Sequence, residues 1–120
     1  MPSVKISELQ FEEREGYERA VVFSNDDFGA PTKLQVMRLA PGQSIKPHHH
    51  NVRTECFRII SGVGEIIIND EVVARTLDDI TLCRPGDVHE FINKSSSEPF
   101  LFQVVRTNDP VENDMFWEDK

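Results

Sequence analysis

From Lys33 to Thr107 the sequence repeats one unit, a run of about five residues rich in Val, Ile, Leu and Phe followed by a turn signal, at intervals of roughly eight to twelve residues. KLQVMRLA leads into PGQS and IKPHHH into NVRT. ECFRIIS ends at Gly62 and Gly64, EIIIN at Asn69-Asp70, EVVART at LDD, and ITLCR at Pro85-Gly86; EFIN runs into KSSSEP, and FLFQVVRT closes the series. No long window shows the 3.6-residue apolar period of an amphipathic helix. Many short alternating segments can bury their apolar faces only by pairing as strands, so the chain predicts an all-β sandwich or barrel.

The two ends are less regular. VKISEL and RAVVF read as short edge strands separated by the charged FEEREGYE, and SNDDFGAP reads as a loop. The tail NDPVENDMFWEDK is acidic but carries Met115, Phe116 and Trp117, which are expected to pack on the barrel or a partner, or to cover the barrel mouth. With 120 residues there is enough chain for one core without disulfide staples. The expected organisation is a single domain, 1–120, with N-terminal edge strands over about 1–30, a barrel over about 33–107 and a tail at 108–120.

Charge narrows the partners. Thirteen basic against 21 acidic residues give a formal charge of −8, which opposes binding to nucleic acid or anionic lipid. No apolar run reaches the roughly 18 residues that a membrane helix needs. MPSVKISELQFEER lacks the basic start and apolar middle of a signal peptide, so a cytoplasmic location is the expectation. Cys56 and Cys83 form no CxxC pair and read as reduced, partly buried thiols.

Chemistry concentrates between Gly42 and Gly62. His48 and His50, separated by one residue, share a face of a strand, whereas His49 turns to the other face. Glu55 follows after an interval that breaks the two-residue period, so its carboxylate must arrive from beyond a bend or from the next strand. Neutral imidazole and carboxylate suit manganese, iron, cobalt, nickel, copper and zinc.

These residues resemble the two motifs of the cupins. Gly42, His48, His50, Glu55 and Gly62 match every interval of the first motif, and Gly86, His89 and Asn93 match the second. Asp78 stands where the second motif has its first Gly, and Arg84 where it has Pro, with Pro85 one place later. The resemblance implies a cupin jelly-roll β-barrel, the double-stranded β-helix, whose mouth holds one divalent transition metal through His48, His50, Glu55 and His89. Iron and manganese are the commonest ions in such cupins, with nickel, cobalt, copper and zinc also represented. It also implies a homodimer paired through the N-terminal strands.

Three imidazoles and one carboxylate leave open positions on an ion that prefers five or six ligands, which points to chemistry rather than to a closed structural site. Alternation puts Phe57, Ile59 and Phe91 on the ligand face, and Arg38, Arg58, Gln103 and Arg106 are candidates to hold an anionic group of a small-molecule substrate. Glu65, Asp79 and Glu90 are further acid–base candidates. The expected function is a metal-dependent enzyme acting on a small oxygen-chelating metabolite, leaning towards a dioxygenase-type oxidoreductase because the ligand set resembles that of quercetin dioxygenase. The alternatives are a sugar isomerase or epimerase, a decarboxylase-type enzyme, or a non-catalytic module that binds a metal or sugar.

Overall fold

A computed structural model describes residues 2–118. Its strands are β1 (Glu12–Arg14), β2 (Tyr17–Phe23), β3 (Lys33–Leu39), β4 (Ser44–His49), β5 (Thr54–Ser61), β6 (Gly64–Ile68), β7 (Glu71–Ala74), β8 (Ile80–Cys83), β9 (His89–Asn93), β10 (Phe100–Thr107) and β11 (Phe116–Trp117). They form two antiparallel sheets, in the orders β1-β2-β3-β10-β5-β8 and β11-β4-β9-β6-β7, which enclose a jelly-roll barrel.

Alternation decides what points inward. On β10 the even residues Phe100, Phe102, Val104 and Arg106 are buried, and on β5 the odd residues Glu55, Phe57 and Ile59 are. The β5–β10 register sets Val104 beside Phe57 and Arg106 beside Glu55, so the two inward rows meet in the same interior. Phe57, Phe100, Phe102, Leu39 and Ile59 are at most 1% exposed, and each contributes about 1.5–3 kcal/mol through burial.

The turns follow the signals. Asn69 and Asp70, at φ 49° and 67°, make the tight hairpin between β6 and β7. Gly62 is required by space as well as by its φ of 96°, because a Cβ there would lie 2.4 Å from the Pro99 carbonyl oxygen. The two departures from the second motif are absorbed locally. Pro85 and Gly86 occupy the centre of a turn closed by the Asp87 N–H donating to the Arg84 carbonyl at 3.0 Å. Beside Asp78, the Asp79 carboxylate accepts from the N–H groups of Arg75 and Thr76 at 2.8 and 2.9 Å, closing that loop through a side chain. The Asn93 side-chain amide donates to Leu39 O and Glu98 O, tying β9 to the ends of neighbouring segments.

The N-terminal expectations need correction. VKISEL is not a strand: Ile6–Glu8 form a 3-10 turn with no buried residue. The segment read as a separator instead contains β1, an exposed strand held by Glu12, which pairs with Arg14 and Arg19 at 3.0 and 2.9 Å. SNDDFGAP contains a one-turn helix, Asn25–Phe28, because Ser24 and Asp27 form a reciprocal capping box and Gly29 ends the turn at positive φ. No helix among the described residues is long and apolar enough to cross a membrane.

Candidate metal centre

Four strand ends deliver the side chains. His48 lies near the end of β4, His50 just past it, Glu55 near the start of β5 and His89 at the first position of β9. Antiparallel pairing of β4 with β9 sets His48 opposite His89. All four residues are buried, none more than 4% exposed. One ring nitrogen from each of His48, His50 and His89 lies within 4.8 Å of the others. Glu55 comes from the next strand, as its interval requires, with Oε1 at 3.2 Å from His50 Nε2 and 3.4 Å from His89 Nε2.

The outer nitrogen of each ring is committed. Nδ1 of His48 meets Lys46 O at 2.7 Å, Nδ1 of His50 meets Asp114 O at 2.8 Å, and Nδ1 of His89 meets Asp87 O at 3.1 Å. A carbonyl oxygen can only accept, so each Nδ1 carries the proton and a neutral ring presents an Nε2 lone pair. Two of those lone pairs then face a carboxylate oxygen, and His89 Nε2 is buried with no hydrogen-bond partner. Acceptors facing acceptors in a buried space repel unless a cation lies between them, and ligating His residues commonly donate their other N–H in this way. The three imidazoles fit a metal ion.

Charge around the centre is unusually close-packed. Glu55 Oε2 receives Arg106 Nε at 3.0 Å and lies 3.3 Å from Arg53 Nε. Burial raises the Glu55 pKa, but opposing neighbours, the Arg106 guanidinium among them, outweigh it and hold the carboxyl well below the usual range. Burial, reinforced by His89, lowers His48 to about 3, so its ring is neutral at physiological pH. Burial pushes the Cys83 thiol up to about 12, with Glu55 adding to the shift. Cys83 Sγ lies 3.3 Å from His89 Nδ1, where it packs as an unreactive neighbour of that ring.

The C-terminal segment completes the site. β11 pairs with β4 opposite His49 and His48, and the Trp117 ring meets the His48 ring at 5.3 Å between centroids. His49 points the other way, half-buried, with Nδ1 against the Glu118 carboxylate. Asp114 holds the ligand loop at two levels. Its carbonyl accepts from His50, and its carboxylate accepts from the N–H groups of Asn51, Val52 and Arg53 at 2.9, 3.1 and 2.9 Å. Burial opposes ionisation of this carboxyl, but the three backbone donors win and lower its pKa. The tail is therefore tied to the barrel through β11 and borders its mouth, where Met115 lines the cavity, while Phe116 and Trp117 stay largely exposed.

A small inner cavity of about 20 Å³ lies against His48, His50 and Glu55, with Phe57, Phe91 and Phe102 in its wall. That is room for about one water-sized group. An outer cleft of about 520 Å³ adjoins it, and Tyr17, Arg53, Arg106 and Met115 line both spaces. Phe57 and Phe91 thus stand where alternation puts them. Arg38 and Gln103 do not. Arg38 faces the opposite side of its sheet, with Nε 3.0 Å from Glu18 and its guanidinium 3.9 Å from the centre of the Phe11 ring. Gln103 alternates with the inward Phe102 and Val104, so it falls on that outer face, and Arg58 is exposed there too. Of the four polar candidates only Arg106 reaches the site. Glu65 pairs with Arg75, Asp79 caps its loop and Glu90 takes the outward phase of β9, which leaves Glu55 as the sole carboxylate on the inner cavity among the described residues.

Arg53, Tyr17 and Asp114 carry no signal of their own in the sequence. Arg53 continues the odd row of β5 one step before its first residue, and that phase could have marked it. Asp114 acts across 61 to 64 residues of chain, a separation at which no local pattern operates.

Comparison with known proteins agrees with the fold. A family model described as a cupin domain matches residues 35–106. A structure from Thermotoga maritima described as a predicted oxalate decarboxylase superposes with a TM-score of 0.78 at 23% identity, covering 88% of this chain and 98% of that one. An uncharacterised Klebsiella pneumoniae protein with a double-stranded β-helix domain gives a TM-score of 0.77 at 26% identity, covering 98% and 92%. A protein of Beauveria bassiana named oxidoreductase OpS7 is 43% identical over 47 residues, which are 38% of this chain and 15% of that protein's length.

Proposed function

The chain belongs to the cupin domain family, and from that premise we propose that it is a metal-dependent enzyme in which His48, His50, Glu55 and His89 hold one divalent transition ion, iron or manganese, that acts on a small oxygen-chelating metabolite by dioxygenase-type oxidation. The observation that carries the reading is the cluster of three imidazoles, each with Nδ1–H bonded to a backbone carbonyl, two of whose Nε2 lone pairs face the Glu55 carboxylate beside a cavity that opens outward. A structural site would be closed; here an inner space and a cleft adjoin the ligands. The oxidative direction is supported by the name of the Beauveria bassiana relative, whose similarity covers part of this chain.

Such an ion, when bound, supplies Lewis acidity to a chelating oxygen and, if redox-active, a partner for dioxygen. The remaining work belongs to the chain. Arg106 and Arg53 fix the Glu55 carboxylate from behind, leaving Oε1 turned towards the imidazoles. Phe57, Phe91 and Phe102 make an apolar wall that excludes bulk water from the reacting atoms. Tyr17, whose pKa burial raises, stays a protonated phenol at neutral pH and can donate to a substrate oxygen at the neck between the two spaces.

The test is elemental analysis of protein purified without added metal, followed by oxygen-electrode assays against enediols, β-diketones and flavonols. The expected result is about one transition ion per chain and oxygen uptake with at least one of these classes. Metal without oxygen uptake, accompanied by turnover of a phosphosugar or release of CO₂ from a carboxylic acid, would replace oxidation by isomerase or decarboxylase chemistry.

A further inference from the structure

The neck between the inner cavity and the outer cleft is built from two guanidiniums that converge on one carboxylate. Arg106 hydrogen-bonds Glu55 through Nε alone, and neither of its terminal nitrogens makes a hydrogen bond among the described residues. Arg53 is 7% exposed, yet its Nε, 3.3 Å from Glu55 Oε2, makes no well-directed hydrogen bond. Its Nη1 reaches Asp109 only at 3.6 Å, and that carboxylate is shared with Lys33 at 3.5 Å. Arg53 Nη2 has only the lone pair of His50 Nε2, at 3.4 Å.

Guanidinium donors are costly to leave underused: Arg53 shares Glu55 and Asp109 with its neighbours and still leaves its buried Nε without a hydrogen bond, and Arg106, which lines the cleft, leaves both terminal nitrogens without one. Glu55 also turns one oxygen away, towards the imidazoles, so it serves the arginines through Oε2 alone. Arg14 and Arg19 line the outer part of the same cleft together with Glu13 and Glu15, and Glu12 already pairs with both arginines. The uncompensated donors are therefore at the neck. Free guanidinium N–H donors that border a cleft suit an anionic acceptor.

Size sets the arrangement. The inner cavity of about 20 Å³ admits one ligating group, so the body of any substrate must lie in the outer cleft while passing Arg53 and Arg106. A planar carboxylate matches the fork of Arg106 and can accept two parallel N–H bonds from it.

We infer that the substrate is a small organic acid whose carboxylate is held at the neck by Arg106, with Arg53 beside it, while an adjacent oxygen enters the inner cavity. This rests on the reading of the site as a metal-dependent enzyme's, and it narrows the substrate from any oxygen chelator to an anionic one. Tyr17, the other polar side chain at the neck, donates to the same carboxylate or to the neighbouring oxygen.

The probes are glycolate, the smallest hydroxy acid; glycolamide, its uncharged isostere; and inorganic phosphate. Binding is measured by calorimetry on the metal-free and Co(II)-loaded protein, with the visible absorption of Co(II) as a second readout. Glycolate should bind at least about tenfold more tightly than glycolamide in both forms. Arg106→Gln should bring the two within about threefold in the metal-free protein, a readout independent of how well Glu55 holds an ion, and Arg106→Lys should keep part of the preference because it keeps charge but not the fork. Equal binding of glycolate and glycolamide, an undiminished preference in Arg106→Gln, or tighter binding of phosphate than of glycolate would overturn the inference. A chain that takes up no metal yet prefers glycolate upholds the anion site and sinks the enzyme reading; a chain that loads cobalt without the preference does the reverse.

Discussion

The two ends of the barrel interior are lined by the same strands and differ in almost everything else. At one end β10 contributes Phe100 and Phe102 and β5 contributes Ile59; at the other the same rows continue as Arg106 and Glu55. β9 passes from Asn93 through Phe91 to His89, and β4 from Ile45 to His48. On β5, β9 and β10 these side chains point inward by plain alternation, on β4 an irregularity between Ile45 and His48 resets the phase, and all of them are buried. The apolar end gains free energy from burial, whereas the polar end sets lone pair against carboxylate and guanidinium against guanidinium. One end holds the barrel together, and the other holds groups that require a ligand to be at rest.

The comparison can be broken first at the apolar end. Phe102→Ala removes a ring at 0% exposure that packs on Phe91 at 4.3 Å and on Phe57 and Phe100; denaturant unfolding should register a loss of about 3–5 kcal/mol. At the polar end the sign differs. His50→Ala should lower metal affinity at least about a hundredfold, while the melting temperature of the metal-free protein stays level or rises because one lone pair facing Glu55 is gone. Metal content that survives His50→Ala would erase the distinction between the ends.

Asp114→Asn tests whether the tail is part of the polar end. It keeps the side-chain shape but removes the charge that gathers three backbone N–H groups behind His50, so metal affinity should drop by about tenfold with near-native unfolding. The pH dependence comes next. In the metal-free protein His48 has its pKa lowered to about 3, while in the unfolded chain an unperturbed His titrates near 6.5. The unfolded state therefore binds the proton first on acidification, and stability contributed by this ring is complete above about pH 6.5 and falls by roughly 1.4 kcal/mol per unit towards pH 3. Urea titrations between pH 7 and 4, with and without His48→Phe, isolate the slope. Smallest of all is Ile80→Lys on the outer face of β8, 74% exposed, which should change chain stability by less than about 0.5 kcal/mol.

The barrel strands from Lys33 to Thr107 are legible in the sequence because each combines alternation with its own turn residues, and Asn69-Asp70 and Pro85-Gly86 adopt the turns their identities require. The positions of His48, His50 and Glu55 follow from spacing. The polar lining does not, because FLFQVVRT is apolar on both phases and only the phase, not the composition, separates inward Arg106 from outward Gln103. The N-terminus misleads for a related reason: VKISEL alternates as a strand should but buries nothing, while β1 forms from EER, held by ion pairs to its neighbours. Asp114 leaves no local trace, since its role is to satisfy backbone donors far away in the chain.

The most direct test of the central claim is X-ray absorption at the metal edge of protein purified without added metal, combined with elemental analysis. About one transition ion per chain is expected, with imidazole scattering from three rings, one carboxylate oxygen and further light-atom ligands, and loss of one ring's scattering in His89→Ala. An ion coordinated without imidazole, or a folded barrel that purifies and reconstitutes with none, would contradict that claim.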